Sequence, residues 1–296
     1  MNDLPRVVPA TVTPMSEGGE RLLLDWIPQH LAYLEHRGAD GVVALGTTGE
    51  GVSLSLQERK EVIDAVLTHR GRLFIMFGTG CASLPETVDL SRYAIERGAH
   101  AVMIVPPFYF KDIDAEGLIA YYRAVLAALP PERKVILYNI PDTSGVEITD
   151  GLVDALLERF PERLLGIKDT SGRLERTRRY VERYPRLAVY NGNDAALSEA
   201  AALGVTGAIS AVANVFPDLV ADVFHAHDSG GDTATAQAEL TRVREAIKQF
   251  PSHSAIKHLL HLVAGLPLTY VRPPLRDLTR EEVEALARSV RELALA

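Results

Sequence analysis

Residues 135–168 read VILYNIPDTSGVEITDGLVDALLERFPERLLGIK, and their pattern recurs through the first 228 residues. The stretch opens on an apolar run, Val135–Asn139, and closes on another, Leu164–Ile167, with an amphipathic segment between them. A short apolar run without alternation is the signature of a strand buried on both faces, as parallel strands are. Two such runs joined through a helix make one βαβ unit. Six more runs of this kind lie at Val7–Thr13, Gly41–Leu45, Leu73–Phe77, Ala101–Val105, Ala188–Tyr190 and Thr206–Ser210.

Eight βα units in succession predict an α/β fold of the TIM (β/α)8 barrel type rather than an open, doubly wound sheet. A doubly wound nucleotide-binding sheet would carry a glycine-rich turn after its first strand, where this chain has Thr13-Pro14-Met15-Ser16-Glu17-Gly18-Gly19. Helix boundaries agree with the strand list. Ser55…Glu58 and Ser83…Glu86 match capping boxes, and Pro85 suits a first turn. Arg37-Gly38-Ala39 and Arg97-Gly98-Ala99 are matching helix stops ahead of the next strand. After the turn Asp228-Ser229-Gly230-Gly231-Asp232, helical spacing predicts Thr233–Gln249, Ser254–Ala264 and Arg280–Ala294. The expected organisation is a barrel over residues 1–228 and a C-terminal three-helix appendage over 229–296, packed against it.

The chain has 296 residues, 47% hydrophobic and 24% charged, a globular balance that permits a sizeable core. No run approaches 18 apolar residues, and Met1–Pro14 lacks the basic and apolar regions of a signal peptide. One cysteine, Cys81, leaves no intrachain disulfide, so the expected location is the cytoplasm. A net charge of −8 offers no basic face to nucleic acid or anionic lipid, which leaves small molecules and other protein chains as partners.

A TIM barrel places its chemistry at the C-terminal ends of its strands. That rule selects Thr47 and Thr48 after the second strand, Tyr109 after the fourth, Tyr138 and Asn139 at the end of the fifth and Lys168 at the end of the sixth. It also selects Gly192, Asn193 and Asp194 after the seventh strand and Ile209 and Ser210 at the end of the eighth. Lys168 is the sharpest of these, one of six lysines and placed directly after Leu164-Leu165-Gly166-Ile167. Burial disfavours a charged amine, and a free amine is what attacks a carbonyl to form a Schiff base. Pairing with Asp169 at the barrel rim is the structural alternative. Tyr138 on the neighbouring strand offers a hydroxyl for proton transfer, or a ring that merely fills the barrel. The loop Gly46-Thr47-Thr48-Gly49-Glu50-Gly51 lets backbone N–H groups approach a carboxylate or phosphate. Other patterns point away from chemistry. Gly78-Thr79-Gly80 is followed by Ser83 where a dinucleotide loop needs glycine, and no Gly-X-Ser-X-Gly occurs. His225-X-His227 and His258-X-X-His261 lack a third ligand at a strand end, so no metal site is expected. Cys81 reads as packing, and the Arg-rich run 173–186 as a solvated helix face.

Three motifs in order, Gly46-Thr47-Thr48-Gly49-Glu50, Tyr138-Asn139-Ile140-Pro141 and Gly166-Ile167-Lys168-Asp169, strongly resemble the dihydrodipicolinate synthase / N-acetylneuraminate lyase family of pyruvate-dependent class I aldolases. The resemblance extends through Pro107-Phe108-Tyr109, Asn191-Gly192-Asn193-Asp194 and the C-terminal helices. It implies that Lys168 forms an iminium with a 2-oxo acid and that Tyr138 relays protons. It further implies that Thr47 links Tyr138 to Tyr109, often donated by a neighbouring subunit. Thr47 and Thr48 would hold the substrate carboxylate, with Gly192 and Ile209 lining the site. The family needs no metal and no organic cofactor beyond the pyruvate Schiff base, and is commonly a homotetramer built as a dimer of dimers.

Within the family, dihydrodipicolinate synthases carry an arginine two residues after Tyr-Asn-X-Pro, where it holds the carboxylate of aspartate semialdehyde. Here that position is Thr143, beside the acidic Asp142. Threonine cannot form a bidentate pair with a carboxylate, though Arg173 is a candidate substitute. The segments Asn139–Val146 and Tyr122-Arg123-Ala124 look more like the lyase and sugar-acid aldolase branches. Thr143, Thr170, Ser171, Asn193, Asp194 and Ser210 suit the hydroxyls of a 2-keto-3-deoxy sugar acid. Ala195 stands where sialate lyases have a glutamate, which counts against sialate itself. The expectation is a lyase joining or separating pyruvate and an aldehyde. The synthase is the alternative, with a same-fold hydro-lyase and a non-catalytic binding protein behind it.

Overall fold

A computed structural model of the chain describes residues 4–132 and 134–294. Eight strands form one parallel sheet: β1 Val7–Pro9, β2 Gly41–Ala44, β3 Phe74–Gly78, β4 Ala101–Ile104, β5 Val135–Asn139, β6 Leu164–Asp169, β7 Ala188–Asn191 and β8 Gly207–Ser210. Their order is β1-β8-β7-β6-β5-β4-β3-β2, and a parallel bridge between Ala10 and Val43 closes the sheet into a barrel. Helices follow the strands and form the outer layer, giving the expected TIM barrel.

Strand alternation sorts the core into two clusters. Val8, Val43, Met76, Met103, Ile136, Tyr138, Tyr190 and Ile209 fill the barrel interior. Val7, Val42, Ile75, Leu137, Ile167 and Val189 point outward beneath the helices.

The predicted elements are present, with differences at their ends. The first strand stops at Pro9 instead of Thr13. Proline has no N–H for the ladder, and beyond the Ala10 bridge the chain turns away. Val12 N–H then donates to Asn214 Oδ1 (3.0 Å) and Thr13 Oγ1 to Gly49 O (2.6 Å). The sixth strand is longer than predicted, so Lys168 lies inside it rather than after it. Ser55 and Glu58 form a complete capping box, whereas Ser83 only accepts from Glu86 N (3.5 Å). Gly38 and Gly98 end their helices at φ +89° and +103°, in the left-handed region that glycine enters without cost. The arginine-rich helix Leu174–Arg183 is only partly a solvated face, because Arg176 is 13% exposed and pairs with Asp150 at 2.7 Å.

The C-terminal helices span Thr233–Lys248, Ser252–Ala264 and Arg280–Ala294. They and the segment between the last two reach back to the end of the barrel where the strands finish. Gln237 Nε2 donates to Asp194 O (2.8 Å), and Arg272 makes a two-pronged pair with Glu58 at 2.8 and 2.9 Å. Trp26 Nε1 anchors the segment between the last two helices through Pro267 O (2.8 Å). Among the described residues no helix is long and apolar enough to cross a membrane.

Candidate active site

The site is built on the register of β5 with β6, which pairs Tyr138 with Lys168 and Asn139 with Asp169. Alternation sends the first pair inward and the second outward. The outward pair is fully tied down. Asn139 Nδ2 donates to Asp169 Oδ1 (2.9 Å), Ser171 N–H to the same oxygen (3.1 Å), and Thr177 Oγ1 to Asp169 Oδ2 (2.7 Å). Ile148 N–H occupies Asn139 Oδ1 (2.9 Å). Asp169 is therefore not the partner of Lys168, as the structural alternative supposed.

Lys168 is 5% exposed, and its Nζ lies 4.4 Å from the centroid of the Tyr138 ring. No carboxylate forms an ion pair with it among the described residues. Gly192 packs on its stem. A Cβ at that position would lie 3.0 Å from Lys168 Cε and 2.1 Å from Thr170 Oγ1, so glycine is required for the backbone to come this close. The Thr170 hydroxyl is itself buried and has no hydrogen-bond partner among the described residues.

Tyr138 OH lies 3.4 Å from Thr47 Oγ1. The Thr47 turn follows a strained residue, Leu45, at φ +61°. Glu50 N–H to Thr47 O (3.0 Å) and Gly51 N–H to Gly46 O (3.2 Å) close the turn. The N–H groups of Thr47 and Thr48 donate to no acceptor among the described residues, which leaves two adjacent donors for an anion.

Two cavities open beside residues that touch the lysine, Tyr138 on one side and Gly192 on the other, while Lys168 itself lines neither. One, of about 310 Å³, has an apolar wall of Leu45, Met103, Val105 and Ile140 and carries Thr47, Tyr138, Thr143 and His253. The other, of about 360 Å³, is lined by Thr170, Ser171, Gly192, Asn193, Asp194, Arg244 and Lys248. Asp194 is buried, and burial raises its pKa, while hydrogen bonds from Ser210 and Val212 N–H, together with Arg244 and Lys168, oppose that rise. Ser210 is fully buried and also accepts from Ala213 N–H (3.0 Å). Ile209 is in the barrel interior, and Thr48 is half-exposed beside Thr47 without lining either cavity.

Two expected residues sit apart from the rest. Tyr109 is 74% exposed and packs edge-on against Phe110 rather than against Thr47. Arg173 pairs with Glu147 at 2.6 Å on the outer surface and lines neither cavity, so it does not stand in for the arginine absent at Thr143. Residues the sequence reading passed over are His253, whose Nε2 is 3.0 Å from Thr47 O, and Arg244, 3.4 Å from Asn193 Oδ1. Both arrive from the C-terminal helices, far along the chain, and no local motif marks them.

The chain matches known proteins over nearly its whole length. Residues 3–293 match the dihydrodipicolinate synthetase family. An uncharacterized DapA-like lyase of Chloroflexus aurantiacus is 41% identical, over 95% of this chain and 94% of its own. A 4-hydroxy-tetrahydrodipicolinate synthase of Methanococcoides burtonii is 32% identical over 97% of both. Among solved structures, YagE, a prophage protein of the dihydrodipicolinic acid synthase family from E. coli K12 in complex with pyruvate, superposes with a TM-score of 0.90. It is 27% identical and covers 99% of each chain. The chain belongs to the dihydrodipicolinate synthetase family and is a pyruvate-dependent lyase of the aldolase type.

Proposed function

We propose that the chain is a Schiff-base aldolase that cleaves or forms a 2-keto-3-deoxy sugar acid, with Lys168 as nucleophile. The observation that carries the chemistry is the inward Lys168 amine over the Tyr138 ring, with Thr47 Oγ1 next to the Tyr138 hydroxyl. In the cleavage direction the substrate carboxylate accepts from Thr47 and Thr48 N–H, which aims its keto carbon at the amine. Lys168 attacks C2, its amine passes one proton to the carbonyl oxygen and Tyr138 gives a second, and that oxygen leaves as water to give the iminium and a Tyr138 phenolate. Tyr138 takes the proton of the C4 hydroxyl, the C3–C4 bond breaks, and its electron pair moves into the iminium as an enamine. The aldehyde departs, Tyr138 returns a proton to C3, and water releases pyruvate from Lys168. No metal or organic cofactor enters any of these steps. Thr47 connects Tyr138 to the solvent side of the apolar cavity, where Tyr109 of a second copy completes the relay in a homotetramer. The outward exposure of Tyr109 supports its donation to another chain.

The sugar-acid assignment rests on the polar cavity, whose Thr170, Ser171, Asn193 and Asp194 offer both donors and acceptors to hydroxyls, and on Thr143 in the arginine position. A second reading, condensation with aspartate semialdehyde, is favoured by Arg244 and Lys248 in the same cavity, because a second carboxylate needs a cation. Borohydride reduction with pyruvate followed by peptide mapping tests the nucleophile, and a pyruvyl adduct on Lys168 is the expected result. No adduct on the folded protein overturns it. Turnover of 2-keto-3-deoxygluconate against condensation with aspartate semialdehyde then separates the two substrates. Loss of water without carbon–carbon cleavage would mark a hydro-lyase.

A further inference from the structure

The helix Ser252–Ala264 grips the Thr47–Glu50 turn at both of its ends. His253 and Lys257 are four residues apart, so they stand one above the other on a single helix face. His253 Nε2 lies 3.0 Å from Thr47 O. A carbonyl only accepts, so this nitrogen carries the hydrogen. Lys257 Nζ donates to Glu50 Oε1 (2.6 Å), and both side chains are fully buried. Arg272 N–H takes the other oxygen of Glu50 (2.9 Å), and Lys257 also reaches Tyr270 O. Glu50 N–H in turn donates to Thr47 O (3.0 Å), which closes a ring of hydrogen bonds between turn and helix. Glu50 holds φ +53°, a conformation a non-glycine residue keeps only when its surroundings dictate it.

The Thr47–Tyr138 hydroxyl contact of 3.4 Å is longer than an ordinary O–H···O bond of about 2.5–3.0 Å, so a small shift of the Thr47 peptide decides whether it tightens. His253 is the only side chain among the described residues bonded to that peptide oxygen, and its ring stands in the wall of the cavity holding both hydroxyls. We propose that His253 is a positioning residue for the proton relay, anchored by the Lys257–Glu50 pair, so that a C-terminal helix sets the reactivity of a barrel-mouth hydroxyl. This rests on the Schiff-base reading of Lys168.

The test uses pyruvate alone, on the full-length protein. Borohydride trapping reads iminium formation, and exchange of the pyruvate methyl protons in D₂O, followed by NMR, reads the proton relay. Because Thr48 N–H belongs to the same peptide, pyruvate is held at a saturating concentration, where His253→Ala is expected to trap it to the wild-type extent while exchange slows by about tenfold or more. His253→Gln retains an N–H donor and is expected to recover most of that rate. Unchanged exchange in His253→Ala overturns the proposal. So does a parallel loss of trapping and exchange, or a folded His253→Gln as slow as the alanine variant. Absence of any adduct in the wild type overturns the Schiff-base reading itself, and this inference with it.

Discussion

Lys168 and Asp169 are neighbours in sequence and strangers in space. A strand sends them to opposite faces, and the outward Asn139–Asp169 hydrogen bond holds Tyr138 and Lys168 in register on the inner one. Two substitutions probe that inner face. Tyr138→Phe keeps the ring under the amine and removes only the hydroxyl. The lysine should still trap pyruvate, while methyl exchange in D₂O falls by about 10²- to 10⁴-fold, the range for losing a general acid–base group. Exchange at the wild-type rate would remove Tyr138 from the relay. Gly192→Ala forces a methyl group against Thr170 Oγ1 and the Lys168 stem. It should cost about 1–3 kcal/mol of stability by overpacking and suppress the trapped adduct in protein that still melts cooperatively. A Gly192→Ala variant that traps as fast as wild type would show that the stem has room to move.

At the level of elements, the barrel is legible because each strand is an uninterrupted apolar run, and eight of these have no other economical arrangement. The misreadings have local causes. Pro9 ends a run that looks continuous by hydropathy alone, and the apolar run that stops at Ile167 continues as strand through Lys168 to Asp169. Thr47, Tyr138, Lys168 and Gly192 were findable because each lies within a few residues of a strand end. His253 and Arg244 were not, since their contacts with Thr47 and Asn193 join residues 206 and 51 positions apart, and no period in the sequence reports them. The C-terminal segment also carries an acid-sensitive joint. Arg272 holds the Glu58 carboxyl down to about 2 from an ordinary 4.5. A depressed carboxylate stabilises the fold fully above its unfolded value and loses that contribution as pH falls through the folded one. Thermal melts of wild type and Glu58→Gln should therefore differ at neutral pH by about 1 kcal/mol and converge as pH falls from 4.5 towards 2. A difference independent of pH would assign the effect to packing instead of charge.

On the scale of the whole molecule, one chain holds every proposed group except the far end of the relay. Lys168, Tyr138 and Thr47 converge at the barrel mouth, whereas Tyr109 and Phe110 face away at 74% and 70% exposure. Two large aromatic rings in water are unusual unless another surface covers them. If Tyr109 serves the site of a second copy across a two-fold axis, the two groups can be disabled in different chains and the activity partly restored. Lys168→Ala and Tyr109→Phe, each inactive or nearly so alone, are dissociated, mixed in equal amounts and reassembled. Random pairing makes half of the dimers hybrids, and each hybrid has one live site, the one whose Lys168 is intact and whose Tyr109 comes from the partner. Activity should return to about a quarter of the wild-type value. The exchange of pyruvate methyl protons reads this without knowledge of the aldehyde. Recovery to that level assigns Tyr109 to the neighbouring site. Activity that stays at the sum of the two separate variants would mean that each chain completes its relay alone, and that the exposed aromatics serve some other contact.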